Sequence, residues 1–360
     1  MRIFIACGGT GGHIFPGLSL YYALKKRHSG IDMLLVLTER SISHSIVAEH
    51  FPRIYLSLMP IRFKFNLQNL IVVLKLLKGI FQSLRLVLRF RPDVVVGFGG
   101  YASFFLVFFA WIFRMKTIII EQNVTPGLAN RILAYLADKI AVGFARTKDY
   151  FGVNSSKVCF TGNPLRPNLV RIERIRACEF LDLSLDKFTI LVMGGSQGAH
   201  KINTTFFEAV SLIIDELRFQ VIHLCGENDY SKLSNGYKYL GIKAKIFSFF
   251  GPMEYVYSAA DIVVSRAGAA SINEIAFFGL PSILIPYPYV RRHQTQNARF
   301  LYEKNAAVII EEKDLCSEIL KDKILELINN PNLRNSINEN ISKLSKPKAD
   351  ESLADLLLNE

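Results

Sequence analysis

His13 is the side chain in this sequence best placed to do chemistry. It ends the run Gly8-Gly9-Thr10-Gly11-Gly12-His13, which follows the apolar stretch Met1–Ala6. The order is strand, glycine turn, helix. Glycines in such a turn let backbone N–H groups approach a phosphate or sugar that a larger side chain would block. An imidazole at the mouth of the helix can take a proton from a hydroxyl, and the positive helix end favours the neutral, basic ring. A histidine there can equally cap or pack, and the loop can equally be a tight turn closing a strand onto a helix. The other histidines have weaker settings. His28, His44 and His50 sit beside no such loop, and His200 follows a second glycine run without an evident helper.

Spacing limits what the first loop can hold. A dinucleotide fingerprint needs glycine at positions one, three and six, and counting from Gly9 and Gly11 the sixth position is Ile14. A Walker lysine is missing too. The loop therefore suits an anion or a sugar rather than a nicotinamide cofactor. Asn273-Glu274, after the small-residue turn Arg266-Ala-Gly-Ala-Ala-Ser271, is the second candidate. Glu274 is either an acid favoured by a helix start or a carboxylate that accepts both hydroxyls of a ribose. The five cysteines (Cys7, Cys159, Cys178, Cys225, Cys316) form no CxxC pair, and no Asp-x-Asp lies near a strand end. Neither a metal nor a cofactor is expected.

The elements that position these residues alternate between strand and helix. Met1–Ala6, a helix over 16–27, and Met33–Leu37 open a parallel, doubly wound sheet. Apolar strands are expected at 93–97, 117–120, 139–142 and 157–160. Residues 102–113 read as a buried helix, since this apolar run is too short to span a bilayer and ends at Arg114. The chain opens on its first strand with no visible secretory signal. Thr189–Met193 followed by Gly194-Gly195-Ser196-Gln197-Gly198-Ala199-His200 repeats the opening pattern, so two similar α/β domains stand in tandem. Two prolines and a glycine in Thr161-Gly-Asn-Pro-Leu-Arg-Pro167 mark the linker. The expected domains are 1–162 and 163–340, with a final helix near 341–360.

Charge is uneven. The net +12 is carried by the first half: residues 1–165 hold 20 lysines and arginines against 7 acids, whereas 166–360 hold 23 against 24. Such asymmetry points to a polyanionic partner, whether membrane surface, nucleic acid or anionic substrate. Between Phe51 and Pro92 there are eight basic residues and no acid. A helix over 66–89 would carry Lys75, Lys78, Gln82, Arg85 and Arg89 on one stripe and Leu70, Leu74, Leu77, Phe81, Leu84 and Leu88 on another. That is either a helix lying on an anionic bilayer or an ordinary surface helix whose leucines pack on the sheet.

Seven blocks of residues together resemble the MurG family of bacterial N-acetylglucosaminyltransferases. They are Gly8–Gly17, Gly97-Phe-Gly-Gly-Tyr101, Glu121-Gln-Asn123, Thr161–Arg166, Gly194–Ala199, Arg266–Ala269 with Glu274, and His293-Gln294 with Asn297-Ala298. The resemblance covers nearly the whole chain. It implies the GT-B architecture, two Rossmann-like doubly wound parallel-sheet domains facing a cleft, with the final helix returning to the N-terminal domain. It also implies inverting transfer of GlcNAc from UDP-GlcNAc to the 4-hydroxyl of MurNAc in lipid I, giving lipid II for the cell wall without a metal. The runner-up readings are a related transferase acting on another lipid and a UDP-GlcNAc 2-epimerase-like enzyme. By the same resemblance His13 is the general base. Thr10, Gly11, Gly12, Asn123, Arg166, Ser196, Phe250, Ala269, Ala270, Ser271, Glu274 and Gln294 bind the donor, with Glu274 on the ribose and Phe250 flanking the uracil. Gly99, Gly100 and Tyr101 hold the acceptor diphosphate. The expected partners are UDP-GlcNAc, lipid I and an anionic membrane, with no nucleic acid, and the expected location is the cytoplasmic face of the inner membrane. Two departures stand out: Ile120 where the family usually has His, and Arg291-Arg292 before His293.

Overall fold

The computed structural model describes residues 1–39, 47, 51–58, 68–195, 198–214, 218–289 and 293–358. It divides into two compact units, residues 1–167 together with 346–360, and residues 168–345.

The first unit is built on a seven-stranded, all-parallel sheet. Its strands are β1 (Arg2–Ala6), β2 (Asp32–Thr38), β3 (Arg53–Leu56), β4 (Val94–Gly97), β5 (Lys116–Glu121), β6 (Lys139–Val142) and β7 (Val158–Phe160), in the order β3-β2-β1-β4-β5-β6-β7. Nearly continuous Ile/Val/Leu runs explain the central strands, because a parallel sheet covered on both faces buries every side chain. Helix α1 (Gly11–Arg27) covers one face, where Ile14, Leu18 and Leu24 meet Ile3, Ile5 and Val96. Helices α2 (Gln68–Phe90), α3 (Gly100–Ile112) and α4 (Leu128–Leu133) accompany the other, where Val87, Leu106 and Leu133 meet Phe4, Val95 and Ile119.

Three expectations change here. β3 lies inside the basic stretch and gave no strand signal: it is short, half exposed, and sits at the sheet edge. α3 buries Ala102, Ser103, Leu106, Val107 and Ala110 but leaves Trp111 and Ile112, and Phe113 after it, exposed. On α2 the leucine stripe does not pack on the sheet. Leu74, Leu77, Phe81 and Leu88 are each about half exposed or more, and Gly79, Ser83 and Val87 are buried instead. Gly79 is required there, since a Cβ would fall 2.3 Å from a Leu58 methyl carbon.

The second unit has a six-stranded parallel sheet. Strands β8 (Phe188–Met193), β9 (Phe219–Leu224), β10 (Ala244–Phe247), β11 (Ile262–Ser265), β12 (Ser282–Leu284) and β13 (Val308–Ile309) run in the order β10-β9-β8-β11-β12-β13. Its helices are α5 (Arg174–Phe180), α6 (His200–Ser211), α7 (Glu227–Tyr239), α8 (Met253–Ala259), α9 (Ala269–Phe278), α10 (His293–Glu303), α11 (Ser317–Asn329) and α12 (Pro331–Ser342). The chain then returns to the first unit, where α13 (Ala349–Leu358) packs on α1 through Leu353, Ala354 and Leu357 and pairs Asp355 with Arg27. α12 therefore ends at Ser342 in the second unit, and the returning helix starts at Ala349 rather than near 341.

In both sheets the order in which strands are added reverses beside the first strand, between β1 and β4 and between β8 and β11. Ligands of doubly wound sheets bind outside the carboxyl ends of the strands at that reversal. The segments that leave those strand ends are residues 7–10 and 98–99 in one unit, and 194–199 and 266–268 in the other.

Candidate functional site

In the first unit the two glycine turns converge on one imidazole. His13 is the third residue of α1, and its Nδ1 lies 3.2 Å from Thr10 Oγ1. A Cβ at Gly8 would fall 2.6 Å from that same Nδ1, so only glycine leaves room for the ring. On the other side a Cβ at Gly99 would lie 3.5 Å from Nε2, and Gly99 has φ +92°, which a side chain would strain. Gly100 follows at φ +82° and opens α3, with Tyr101 exposed beside it. His13, Thr10, Gly99 and Gly100 are thus brought together, with Gly11 and Gly12 at the start of α1.

Glu121 organises the neighbouring loop, although in the sequence it stands only as part of the block Glu121-Gln-Asn123. It is buried at the end of β5. One carboxylate oxygen accepts from Asn123 N at 2.9 Å and Asn123 Nδ2 at 3.1 Å; the other accepts from Gly127 N at 3.0 Å and Asn130 Nδ2 at 2.8 Å. Four donors on one carboxylate fix the position of Asn123. The Gly99 Cβ position is 3.8 Å from Asn130 Nδ2, which ties this loop to the His13 side of the sheet. Ile120 is fully buried in the strand, so its departure from the family pattern falls in the core. Arg166 lies within the first unit, its guanidinium 4.7 Å above the Phe15 ring on α1.

In the second unit, Ala269, Ala270 and Ser271 are the first three residues of α9, entered from Gly268 with no side-chain cap. Their N–H groups point out of the helix start, as an anion or a hydroxyl-rich ligand requires. Glu274 sits one turn deeper than a capping acid. It is buried, and Oε2 accepts the hydroxyl proton of Tyr257 at 2.8 Å. The capping reading is therefore replaced by a carboxylate held in place from α8. Gln294 is near the start of α10, where its Oε1 accepts from Tyr287 N at 3.0 Å. Phe250 follows β10, its ring 4.4 Å from that of Phe247. Arg266, almost buried, pairs with Glu312 and lies 5.3 Å from the Tyr287 ring centre, which fixes the strand end leading to α9. Ser196 and Arg291-Arg292 lie outside the described residues.

His200 does have a helper. Its Nδ1 is 2.7 Å from Asp229 Oδ1, and Asn203 Nδ2 donates to Asp229 Oδ2 at 2.7 Å. Asn203 Oδ1 then meets His223 Nε2 at 3.1 Å, and His223 Nδ1 meets the Tyr237 hydroxyl at 2.9 Å. Burial pushes the His223 imidazole down to about 3, so it is neutral, and the network runs from the surface into the core. The partner came from α7, a mostly hydrophilic helix that gave no signal in the sequence.

Among the described residues no group of three or more His, Cys, Asp or Glu is arranged to hold a metal ion, and no helix is long and apolar enough to cross a membrane.

Comparison with known proteins joins the two halves. The glycosyltransferase family 28 N-terminal domain matches residues 3–142, and the glycosyltransferase family 28 C-terminal domain matches residues 189–353. A protein of Thermodesulfovibrio yellowstonii named UDP-N-acetylglucosamine--N-acetylmuramyl-(pentapeptide) pyrophosphoryl-undecaprenol N-acetylglucosamine transferase is 35% identical, over 99% of this chain and 98% of its own length. One of the same name from Desulforamulus reducens is 38% identical, over 99% and 97%. Among solved structures, Acinetobacter baumannii MurG superposes with a TM-score of 0.78 at 24% identity, covering 100% of this chain and 99% of that one. A UDP-GlcNAc 2-epimerase from Neisseria meningitidis bound to UDP-GlcNAc gives 0.69 at 16%, covering 100% of each chain, and shares the fold alone. Two Rossmann-like parallel-sheet units make this an α/β protein of the GT-B fold. With relatives this similar over almost their whole length, the chain belongs to glycosyltransferase family 28.

Proposed function

We propose that this chain transfers N-acetylglucosamine from UDP-GlcNAc to the 4-hydroxyl of MurNAc in lipid I, producing lipid II for peptidoglycan synthesis. The chain is a glycosyltransferase, and its full-length relatives carry the name of this reaction. The observation that carries the residue-level reading is the imidazole of His13 set between two glycine turns at a strand-order reversal.

His13 takes the proton of the acceptor hydroxyl on Nε2. In this role Nδ1 carries the hydrogen and directs it at Thr10 Oγ1, 3.2 Å away, which leaves the lone pair on Nε2. The acceptor oxygen then bonds to the anomeric carbon as the bond to the UDP oxygen breaks, with inversion. Gly99, Gly100 and Tyr101 hold the acceptor diphosphate through backbone N–H groups and an exposed ring. Thr10, Gly11, Gly12 and Asn123 bear on the donor sugar, with Asn123 positioned by Glu121. In the second unit Glu274 accepts the ribose hydroxyls, oriented by Tyr257. Ala269, Ala270 and Ser271 present the start of α9, Phe250 flanks the uracil, and Gln294, Arg166 and Ser196 complete donor binding. Charge developing on the departing UDP is met by helix N-termini and backbone dipoles.

The acceptor is a lipid, and the exposed face of the first unit supports peripheral attachment to an anionic membrane at its cytoplasmic side. Leu74, Leu77, Phe81 and Leu88 on α2 and Trp111, Ile112 and Phe113 at the end of α3 are exposed. Lys78, Arg85 and Arg89 are exposed on the same α2. Apolar residues in the interface with basic residues alongside are the chemistry of surface-lying helices.

The test is incubation of the purified chain with labelled UDP-GlcNAc and a lipid I analogue in the presence of chelator. Label is expected in the lipid product. Label that stays out of the lipid overturns the reading, and release of UDP-ManNAc would make the protein an epimerase.

A further inference from the structure

Beneath the outer half of α2 lies a cavity of about 420 Å³ that the transfer reaction does not use. It opens at the sheet edge, between strands β2 and β3 and the last two turns of α2. Leu34, Ile54, Leu86 and Phe90 form its walls, and the Arg85 and Arg89 side chains stand at its rim. None of its lining residues is acidic. The floor is set in place: the Phe90 ring stacks on Phe4 with centroids 4.7 Å apart, and the Phe90 carbonyl accepts from the Arg2 guanidinium at 2.7 Å. At its upper end Gln82 Oε1 accepts from Ser57 N at 3.0 Å, which ties α2 to the end of β3.

We propose that this cavity is a binding site for one anionic phospholipid, with an acyl chain between Leu34, Ile54, Leu86 and Phe90 and its phosphodiester on Arg85 and Arg89. The volume is that of a small-ligand site, and its walls are apolar, as a hydrocarbon chain requires. Arg85 and Arg89 are four residues apart on one helix, so they emerge on the same side, one turn apart. Both are exposed, and among the described residues neither is ion-paired. Two guanidinium groups side by side match a phosphate better than ammonium groups do, because each offers a planar pair of donors. An uncharged lipid would leave that pair without an anion, a zwitterionic one such as phosphatidylcholine would bring its own cation against the two guanidinium groups, and a soluble nucleotide would leave the apolar walls facing water. The site rests on the membrane reading above but differs from it in kind. Adsorption through Leu77 and Phe81 needs no stoichiometry, whereas this cavity takes one molecule.

The experiment titrates the full chain with dioctanoyl-phosphatidylglycerol below its micelle concentration, and with dioctanoyl-phosphatidylcholine, by calorimetry. Partitioning onto anionic vesicles is measured in parallel. Saturable binding of one phosphatidylglycerol per chain is expected, at least tenfold tighter than phosphatidylcholine. Ile54→Trp, which fills the cavity from β3, is expected to weaken that binding tenfold or more while vesicle partitioning persists. R85Q/R89Q, with both changes on exposed side chains, is expected to erase the preference between the two lipids even if the Ile54 variant fails to fold. Partitioning of the wild type without saturable phosphatidylglycerol binding overturns the site and leaves the membrane reading standing. Saturable binding without partitioning does the reverse. Displacement of the phosphatidylglycerol by a short prenyl diphosphate with tighter, Ile54-dependent binding would overturn the proposal by giving the cavity to the acceptor tail.

Discussion

The Tyr257 hydroxyl, carried on α8, donates to Glu274 Oε2 on α9 at 2.8 Å, and both side chains are buried. A carboxylate so held has one oxygen oriented before any ligand arrives. Tyr257→Phe keeps the ring, which stacks on Phe278 with centroids 5.1 Å apart, and removes this hydrogen bond together with the hydroxyl's 3.6 Å contact to Met193 Sδ. Hydrogen bonds to charged groups contribute roughly 1.5–3 kcal/mol, so UDP-GlcNAc binding should weaken about tenfold or more. Equilibrium titration with UDP-GlcNAc checks this. Unchanged affinity would remove Glu274 from donor binding.

His13→Ala should lower kcat by about 10² to 10⁴, the range of general base catalysis, while UDP-GlcNAc still binds. Gly99→Ala should act on the same step by a different route. Its methyl group is set 3.5 Å from His13 Nε2 on a backbone with φ +92°, so kcat and thermal stability should both fall. Steady-state kinetics with a lipid I analogue, alongside melting curves, separates the two. Near-normal turnover of His13→Ala would take the base role from that residue.

Leu77→Ser with Phe81→Ser should leave the melting temperature nearly unchanged, because both side chains are more than half exposed. Binding to vesicles containing anionic lipid should drop at least tenfold, since burying a Leu or Phe contributes roughly 1.5–3 kcal/mol each. Vesicle sedimentation reads the effect. Unaltered sedimentation would make this face an ordinary solvated surface.

His223 ties stability to pH. Burial lowers its pKa from 6.5 to about 3, so the unfolded chain binds a proton that the folded chain refuses between those values. The unfolded state then binds more protons, and stability rises with pH: its contribution is complete above pH 6.5 and is lost as pH falls toward 3. The slope approaches about 1.4 kcal/mol per pH unit inside that window. Asp229 adds its own loss at lower pH. Burial raises its carboxyl pKa, but hydrogen bonds from Asn203 and His200 outweigh this and leave it below the usual value. Chemical unfolding from pH 7 to 4 should therefore show a shallower pH dependence for His223→Gln than for the wild type. Equal slopes would mean that the ring is protonated inside the fold.

Much of this was legible in the sequence because the central strands are fully buried. Ile3–Ala6, Val94–Val96 and Ile190–Val192 advertise themselves as apolar runs, and the glycines after them mark the turns. Edge and hydrophilic elements were not legible. β3 reads Arg-Ile-Tyr-Leu, a strand supported on one side only, and α7 is polar along most of its length. The side on which α2 buries itself was also hidden. Its leucines repeat at helical spacing, yet Ser57 and Leu58, which follow β3, lie against the small side of the helix at Gly79, where close approach matters more than hydrophobicity. Partners far apart in the chain, such as Tyr257 with Glu274 or His200 with Asp229, depend on how helices meet across a sheet. No local pattern encodes that.

The helix at 349–358 belongs to the unit that begins at residue 1, with the whole of 168–345 threaded between them. During synthesis the first unit must therefore wait, with α1 not yet covered by α13, until some 180 further residues have been made. The second unit, contiguous in sequence, has no such delay and can close first. The part of α1 that α13 later covers is, in that interval, where a chaperone or a premature self-association would act. A chain cut before Lys346 should keep the second unit folded while the first is left prone to aggregate.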